Sequence, residues 1–307
     1  MNCFIILFCF SLIYSNNVSN YNSIYNFSKN ARIHSLSNIH LLSNSVSGLF
    51  YQPISNSKNI KGDTYFAYLN QYNNMDIIQF GYCLKHDRSK NISVGFISRD
   101  IKNMYNTTNA WIANDLTIPP QFDEIDYNMI TNLEYEDYGF IISYNKYLKN
   151  SILNYKIKPF YNSIESNYAL GLDVDMMYYR SFKRFGLIFG IDDLLSYKKW
   201  SSGTFEKNNI NYFISGSMVF NNINMFLEYS NIYFKRIGIE YNIKDMLFCR
   251  LGIDSYDNLT YGVGLNSEVF ELNYAYLISN DVLGNIYQIS IILKLDGLLD
   301  LKDDLSP

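Results

Sequence analysis

Apolar and polar residues alternate along most of the chain. In the segment 285–295, NIYQISIILKL, the apolar side chains of Tyr287, Ile289 and Ile291 are separated by polar residues such as Gln288. A period of two places successive side chains on opposite faces of a β-strand. No run of twelve or more residues in the alternating region has the competing period of an amphipathic helix, so the pattern predicts an all-β fold.

Runs of this kind, separated by clusters of Asn, Asp, Ser, Lys and Gly, predict fourteen strands. Their expected ranges are 63–70, 74–85, 91–99, 137–145, 151–162, 167–179, 184–191, 210–220, 222–229, 232–241, 245–253, 258–265, 268–277 and 285–295. With an even number of strands, both chain ends lie on one side of a closed barrel. The two longest connections, 100–136 and 192–209, follow odd-numbered strands and are therefore expected together on the other side. Short turns on one side and long loops on the other are typical of outer-membrane barrels.

The two faces of these strands differ in a way that favours a membrane barrel over a soluble one. The polar faces carry Gly, Ser, Asn, Asp and a few charges, instead of the dense Lys and Glu of a soluble exterior. The apolar faces are almost free of charge. A sheet that spans a membrane must close on itself, because lipid cannot satisfy an open edge. We therefore expect a transmembrane antiparallel β-barrel of about 14 strands, with its apolar face against lipid.

Composition narrows the class of protein further. Hydrophobic residues make up 48% of the 307 residues, which excludes a disordered chain and a helical membrane protein. The net charge is −4 and the sequence has no basic stripe, so nucleic acid is not an expected partner. Aromatic residues reach 17%, with 29 Tyr. An AT-rich genome explains part of this excess, and the preference of Tyr for strands and membrane–water interfaces explains the rest.

An apolar run from Cys3 to Tyr14 opens the chain and is followed by Ser15 at a position suited to cleavage. The run is too short to span a bilayer as a helix, and it predicts a secretory signal peptide over residues 1–15. It lacks the Lys or Arg that usually precedes such a run. A cleaved signal peptide and a barrel together indicate export to the cell envelope and residence in the bacterial outer membrane.

Charged residues on the polar faces are the candidates for the lumen of the barrel. These lumen-facing candidates are Lys156, Lys158, Asp173, Asp175, Glu228, Arg236, Glu240, Arg250, Glu271 and Lys294. Asp173 and Asp175 share one face of a strand about 7 Å apart, a spacing that suits paired carboxylate chemistry. We favour an ion network with lysines or arginines, because buried charges need partners. Pro159 lies within the fifth strand, where its missing N–H predicts a bulge or a strand kink.

Other motifs that carry chemistry are weak or missing. His34 and His40 near the expected plug and His86 at a strand end lack metal-ligand spacing, and we expect surface or plug packing for them. The sequence contains no G-x-S-x-G motif for a nucleophilic serine. The acidic loop 123–126 has the residue types that bind Ca²⁺, but a solvated loop is the simpler interpretation. We therefore expect no enzymatic activity, no cofactor and no metal site.

A C-terminal segment, residues 236–291, resembles the C-terminal half of the PorV/PorQ family of outer-membrane proteins. In that family, strands of the form GxEY and RxGY precede GxGxxxxxFxxDYAY, and a loop with LG precedes the last strand. The matching residues are Gly238, Glu240, Tyr241, Arg250, Gly252, Gly262, Gly264, Phe270, Tyr274, Ala275, Tyr276, Leu283 and Gly284. The middle of the chain also matches, at Gly171, Asp173, Trp200, Gly203 and Glu206.

The N-terminal part of the chain resembles a divergent form of the N-terminal motif of the same family. That motif has Ala-Arg, paired glycines and Asn-Pro-Ala. The matching residues are Ala31, Arg32 and Pro53. Three positions depart from the motif: Ser37 and Asn38 replace the paired glycines, and Gln52 replaces the Asn. The similarity covers most of residues 30–295.

The resemblance implies a barrel similar to the FadL long-chain fatty-acid channels, with an N-terminal segment folded into the lumen as a plug. The expected organisation is a signal peptide at 1–15, a plug or hatch segment at 16–60, a transmembrane barrel at 61–296 and a periplasmic tail at 297–307. Relatives of PorV act in type IX secretion. The resemblance therefore implies a non-catalytic protein that assists protein export or surface attachment.

Partners and alternatives follow from the same resemblance. The expected partners are outer-membrane lipid, secreted cargo proteins and components of the secretion system. The alternative is a FadL-like channel for the uptake of hydrophobic small molecules or fatty acids. A soluble or surface-exposed β protein is a third interpretation, since the last predicted strand ends at Leu295 without the terminal aromatic residue of typical outer-membrane proteins.

Overall fold

The computed structural model describes residues 23–304 except 28, 103, 108, 111–124, 134 and 279–284. The expected signal peptide lies outside the described residues. The described part of the chain forms fourteen long strands: β1 Thr64–Gln71, β2 Met75–His86, β3 Lys90–Ile101, β4 Tyr135–Leu148, β5 Ser151–Ile164, β6 Asn167–Phe182, β7 Phe185–Trp200, β8 Asn211–Phe220, β9 Ile223–Ser230, β10 Phe234–Ile243, β11 Leu247–Asp254, β12 Leu259–Asn266, β13 Phe270–Ile278 and β14 Ile286–Leu293. All except β7 match the predicted ranges to within a few residues.

These strands form one closed antiparallel barrel. Each strand pairs with its neighbours in sequence, and β1 pairs with β14, so that Thr64 lies opposite Leu293 and Gln71 opposite Ile286. Closure pairs every strand on both sides, so that no sheet edge exposes unpaired backbone N–H and C=O groups. Lipid could not form hydrogen bonds with such groups. The prediction of a fourteen-stranded antiparallel barrel is confirmed.

Apolar side chains cover the outside of the barrel, and polar side chains point inward. On β11, Leu251 is 58% exposed, whereas the neighbouring Arg250 is 3% exposed. On β9, Leu227 is 56% exposed and Glu228 is 1% exposed. A soluble barrel has the opposite arrangement. The exterior is therefore suited to lipid, where a Lys or Arg at the bilayer midplane costs about 2–4 kcal/mol.

The strand β7 is longer than the sequence pattern predicts, because a bulge hides its continuation. The β6–β7 ladder shifts register between Val174 and Met176. At this bulge, Asp193 of β7 has a left-handed backbone with φ of 55°. Regular alternation is lost there, so the predicted strand ended too early. The loop after β7 is correspondingly shorter than expected and spans 201–210 instead of 192–209.

The longest connection follows β3 and spans residues 102–134. Within its described part, Tyr105–Asn106 pairs with Thr131–Asn132. It lies at the same end of the barrel as the loop after β7, here named the loop end. At the opposite end, named the turn end, consecutive strands are joined by two or three residues. The predicted sorting of long and short connections is confirmed.

Residues 23–60, named the N-terminal segment, lie against the inner wall of the barrel. The segment contains three short helical stretches, Ile24–Phe27, α1 Ala31–His34 and Val46–Leu49. Most of its apolar side chains are buried, and they form two clusters with inward-facing wall residues. The interior is therefore packed partly by a segment that precedes the first strand.

Wall glycines let the N-terminal segment approach the barrel closely. Leu49 lies over Gly81 of β2 and Gly95 of β3, where an added Cβ would come within 2.6 Å of the leucine methyl groups. A larger residue at either position would push the segment away from the wall.

After β14 the chain forms a short helix, α2 Leu295–Asp304, at the turn end. The backbone N–H of Leu295 donates to the carboxylate of Asp63 at 2.9 Å and ties this helix to the start of β1. The sequence pattern had indicated only a tail at 297–307. No helix in the described residues is both long enough and apolar enough to cross a membrane.

Candidate functional site

The inside of the barrel brings together most of the sequence-predicted residues. The side chains buried there are Lys156, Lys158, Asp173, Asp175, Glu228, Arg236, Glu240 and Arg250. Glu271 and Lys294 lie at the turn end and are only half-buried. Nζ of Lys294 donates a hydrogen bond of 2.6 Å to the side-chain oxygen of Asn266. Seven of these residues form three clusters, each of which includes a residue of the N-terminal segment. Lys156 lies outside the three clusters, with its Nζ 4.0 Å from the Sδ of Met177.

The first cluster is centred on Lys158. Its Nζ lies 2.8 Å from Asp175 and 3.5 Å from Asp193. Asp173 accepts a hydrogen bond of 2.9 Å from the hydroxyl of Ser23 in the N-terminal segment. The hydrogen bond from Ser23 and the ion pair with Lys158 thus hold these two carboxylates in one polar network. This is the geometry of an ion network rather than of a catalytic carboxylate pair.

The second cluster surrounds His40 of the N-terminal segment. Its Nδ1 lies 2.9 Å from Glu228, and its Nε2 lies 3.4 Å from Asp192. The imidazole is stacked between Tyr51 and Phe213, at centroid distances of 3.9 and 3.6 Å. Burial disfavours the charged imidazole, but the two carboxylates outweigh burial and raise the pKa of His40. The contacts of His40 thus link the segment to β7 and β9.

The third cluster is centred on the carboxylate of Glu240. Arg32 of α1 donates two hydrogen bonds of 2.9 Å to it, and Arg250 donates a third at 2.7 Å. Bidentate Arg–carboxylate pairs combine strength with a fixed orientation. One buried carboxylate therefore connects the N-terminal segment with both β10 and β11.

Residues that carry the PorV/PorQ resemblance meet in this third cluster. Arg32 comes from the front motif, Glu240 from the GxEY strand and Arg250 from the RxGY strand. Ser37 and Asn38, which replace the paired glycines, have φ of 55° and 61°. Glycine adopts this left-handed region most readily. Three residues from separate parts of the sequence therefore dock the α1 region against the wall.

Pro159 interrupts the β4–β5 ladder without shifting it. Two regular pairs are missing around Pro159, and the pairs on either side keep one register, so the expected bulge is absent. Proline has no N–H to offer to the carbonyl of Phe140 across the ladder. The hydroxyl of Tyr25 lies 3.0 Å from that carbonyl and 2.6 Å from the carbonyl of Pro159. The single hydroxyl proton of Tyr25 thus serves two wall carbonyls at the place where the regular ladder is interrupted.

A cavity of about 240 Å³ lies between the N-terminal segment and the wall of β5–β8. Its lining includes the rings of Tyr25, Phe50, Tyr51 and Tyr233, together with Lys29, Lys158, Asp175, Asp192, Asp193, Asn208, Asn209 and Asn211. Pockets for drug-sized molecules usually have roughly 300–1,000 Å³. The cavity therefore suits a small molecule, and its lining joins the first two clusters.

Sequence reasoning missed Asp192 and Asp193 as interior residues, and it placed His40 in the expected plug segment without identifying its carboxylate partners. The adjacent acids were an available signal, since a regular strand would point one of them at lipid and only a bulge turns both inward. His40 had no such signal. It lies in a segment without periodicity, and its partners come from strands roughly 150–190 residues later in the sequence.

The described residues offer no group of three His, Cys, Asp or Glu side chains able to hold a metal ion. Asp123 and Glu124 of the acidic loop 123–126 lie outside the described residues. Of the cysteines in this part of the chain, Cys83 is buried, Cys249 is exposed, and both are free.

Solved structures share this barrel fold. The toluene transporter TodX of P. putida matches over 91% of this chain and 99% of its own, with a TM-score of 0.53 and 9% identity. The toluene transporter TbuX of Ralstonia pickettii matches over 91% and 98%, with a TM-score of 0.56 and 8% identity. No protein-family model and no curated protein matches the sequence. At such low identity the likeness shows the fold alone, a closed barrel of the kind found in these transporters.

Proposed function

We propose that this protein is a non-catalytic channel of the bacterial outer membrane that takes up small hydrophobic molecules. The observation that carries the proposal is the cavity inside the closed barrel, with four aromatic rings in its lining. The apolar exterior suits the barrel to lipid, and the shared fold of two toluene transporters supports transport over catalysis. These observations favour the FadL-like interpretation of the sequence.

In this proposal the N-terminal segment is the plug of the channel. Tyr25, Phe50 and Tyr51 of the segment form one side of the cavity. A solute that enters from the loop end therefore meets the segment before it can leave. Release of the segment requires the contacts of Arg32 and His40 with the wall to break, and these contacts set the resistance of the channel to opening.

Uptake by bacterial cells that export the barrel tests this function. We expect faster uptake of labelled toluene or of a labelled fatty acid than in cells without the protein. Asn209→Trp, which adds bulk at the cavity, should lower uptake. Lys149→Trp, in the turn between β4 and β5 at the opposite end, is the matched control and should behave like the wild type. Equal uptake with and without a folded barrel would contradict the proposal.

A second candidate function is assistance of protein export or surface attachment, as implied by the PorV/PorQ resemblance. The meeting of Arg32, Glu240 and Arg250 in one cluster favours it, because these motif residues come from separate parts of the sequence. Secreted cargo proteins and secretion-system components would then contact the loops 102–134 and 201–210 at the loop end.

Shortening these two loops in the native cells tests the second candidate. Surface display of exported proteins should fall, while the barrel keeps the heat-modifiable gel migration of a folded membrane barrel. Unchanged display would exclude this role. A loss of display without a change in toluene uptake would favour export over solute transport.

A further inference from the structure

Basic side chains gather on one side of the turn end. Eight of them lie in or beside the three turns β2–β3, β4–β5 and β6–β7, and they are named the basic arc: Lys85, Arg88, Lys90, Lys146, Lys149, Arg180, Lys183 and Arg184. Asp87 is the only acidic residue in the same stretches of the described chain, and it lies 3.5 Å from Lys85. The other seven members have no ion-pair partner among the described residues. The whole chain has a net charge of −4, so the arc is a local excess of positive charge.

Two members of the arc face each other across the β3–β4 ladder. Lys90 is the register partner of Lys146. The neighbouring Asn91 and Asn145 are buried inside the barrel, so the two lysines lie on its outer face. Side chains directly opposite each other in such a ladder have Cβ atoms about 4.5–5.5 Å apart, and like charges at this position repel each other. An anion between the two ammonium groups would relieve this repulsion.

Arg180 of β6 lies on the same outer face and is exposed. Its Cζ lies 5.2 Å from the ring centroid of Phe182, which is 47% exposed on the wall. Long basic side chains cover apolar surface with their methylene groups while the charged group stays in a polar layer. Arg180 therefore lies at the border between the apolar wall and the turns.

Apolar side chains of the lipid-facing wall border the same three turns. Leu84 precedes the turn β2–β3, and Leu148 precedes the turn β4–β5. Phe182 and Phe185 flank the turn β6–β7. These four side chains are between 44% and 50% exposed. The arc thus lies where the apolar surface of the barrel ends, at the level of lipid headgroups. Basic side chains on the outer face meet these headgroups before they meet a soluble protein.

The opposite side of the turn end has a mixed charge. The turns β10–β11 and β12–β13 and the helix α2 carry the exposed acids Asp245, Glu268 and Asp296. Lys244, directly before Asp245, is the basic residue of the first of these turns. Positive charge without nearby acids is therefore confined to the side of the barrel formed by β2–β7.

We propose that the basic arc binds anionic phospholipids of the membrane leaflet at the turn end, through their phosphate groups. One phosphate lies between the ammonium groups of Lys90 and Lys146. The guanidinium group of Arg180 binds a neighbouring headgroup, because its planar fork matches phosphate oxygens. The acyl chains lie along the exposed Leu148 and Phe182. The inference rests on the lipid-facing exterior of the barrel and is independent of the solute that the barrel carries.

Native mass spectrometry of the whole barrel measures which lipids stay bound to it. The barrel is reconstituted into vesicles of equimolar phosphatidylglycerol and phosphatidylcholine and is then extracted in mild detergent. We expect it to retain phosphatidylglycerol over phosphatidylcholine by about fivefold, because basic residues near a membrane surface attract anionic lipids. Equal retention of the two lipids would overturn the proposal and would favour an acidic protein as the partner of the arc.

Excess dimethyl phosphate in the buffer separates the phospholipid from its phosphate group alone. This phosphodiester has the same charge as the headgroup phosphate but no acyl chains. We expect the preference for phosphatidylglycerol to persist, because the acyl chains hold the lipid against the wall. Loss of the preference when dimethyl phosphate only equals the lipid in concentration would assign the arc to free phosphate and overturn the proposed lipid.

Paired substitutions locate the site. Lys90→Gln together with Lys146→Gln removes the facing ammonium groups and should reduce the lipid preference to less than about twofold. Lys90→Arg together with Lys146→Arg keeps the charge and should keep the preference. Lys61→Gln together with Lys244→Gln is the matched control, because it removes two exposed charges at the same end outside the arc, and it should also keep the preference.

Heat-modifiable gel migration shows whether each variant forms the folded barrel before its lipids are measured. An unchanged preference in the folded Lys90→Gln, Lys146→Gln variant would overturn the assignment to the arc. An equal loss in the control variant would overturn it as well, because the lipids would then respond to the total charge of the turn end.

Discussion

The hydroxyl of Tyr25 lies 3.0 Å from the backbone carbonyl of Phe140, although the two residues are 115 positions apart in sequence. That carbonyl faces Pro159 across the β4–β5 ladder and receives no N–H from it. The N-terminal segment therefore does more than fill the lumen. Its Tyr25 hydroxyl also hydrogen-bonds the backbone of the wall where the ladder is interrupted.

Removing the hydroxyl should weaken the wall at this point. Tyr25→Phe should lower the free energy of unfolding by about 1–2 kcal/mol, because a buried carbonyl loses its donor. Pro159→Ala restores an N–H on the ladder, so Tyr25→Phe should cost less in that background. Denaturant unfolding of the four proteins measures the coupling. An equal cost in both backgrounds would show that the hydroxyl does not replace the missing ladder bond.

The Arg32–Glu240 pair should hold the N-terminal segment to the wall. Arg32→Met should lower the free energy of docking of the segment by about 3 kcal/mol. This is near the lower end of the cost of breaking a buried ion pair, because Arg250 still compensates the charge of Glu240. Hydrogen exchange of the segment amides should accelerate while exchange in β10 and β11 stays slow. Arg32→Lys keeps the charge without the bidentate geometry and should fall in between. Unchanged exchange in Arg32→Met would contradict an anchoring role.

His40 should make the docking of the segment sensitive to pH. Burial lowers the pKa of His40, but Glu228 and Asp192 outweigh burial and raise it. Arg236 also pairs with Glu228, at 2.9 Å. Below the ordinary histidine pKa of about 6.5, the charge of His40 contributes its full stabilisation to the folded protein. This contribution is lost as the pH rises through the raised pKa of His40 in the folded protein.

Denaturant unfolding at a series of pH values measures this loss. The stability difference between wild type and His40→Gln should shrink as the pH rises above neutrality. The substitution also removes the ring stacking of His40, which lowers stability equally at every pH. The pH slopes of the two proteins are therefore compared, and not their absolute stabilities. Parallel slopes for the two proteins would refute the assignment of the charged state.

A charge on the outer face should distinguish a membrane barrel from a soluble one. Leu251→Lys places an ammonium group near the middle of β11 and should destabilise the inserted barrel by about 2–4 kcal/mol. Tyr256→Lys, at the loop end, is the control and should have little effect. Refolding into liposomes, followed by heat-modifiable gel migration, measures both. A fully tolerated lysine at residue 251 would argue for an exterior in water.

The barrel was predictable because each strand repeats one local rule. Alternation of apolar and polar residues predicts each strand, and the residues that interrupt the alternation predict the turns. A wrong strand boundary, such as the predicted end of β7, therefore does not affect the other strands. The inward position of Glu228, Arg236, Glu240 and Arg250 follows from the same rule. The ion-pair partners of these residues do not follow from this rule. Some of the partners belong to the N-terminal segment, whose sequence has no periodicity.

The cavity lay beyond sequence reasoning for a related reason. Asp193 enters the lumen only through a bulge, and Lys29 reaches Tyr233 only because the segment is folded against the wall. Neither position differs in composition from many other Asp and Lys residues of the chain. Packing brings them together, and no pattern along the sequence records it.

The distance of 208 positions between Arg32 and Glu240 also bears on the order of assembly. Contacts between residues so far apart form late, because a long loop must close before the contact stabilises it. The docking surface for α1 does not exist until β10 and β11 have been made and paired. Residues 23–60 are therefore among the last to be fixed, although they precede the first strand, and a newly closed barrel has an unfilled interior until they fold back against its wall.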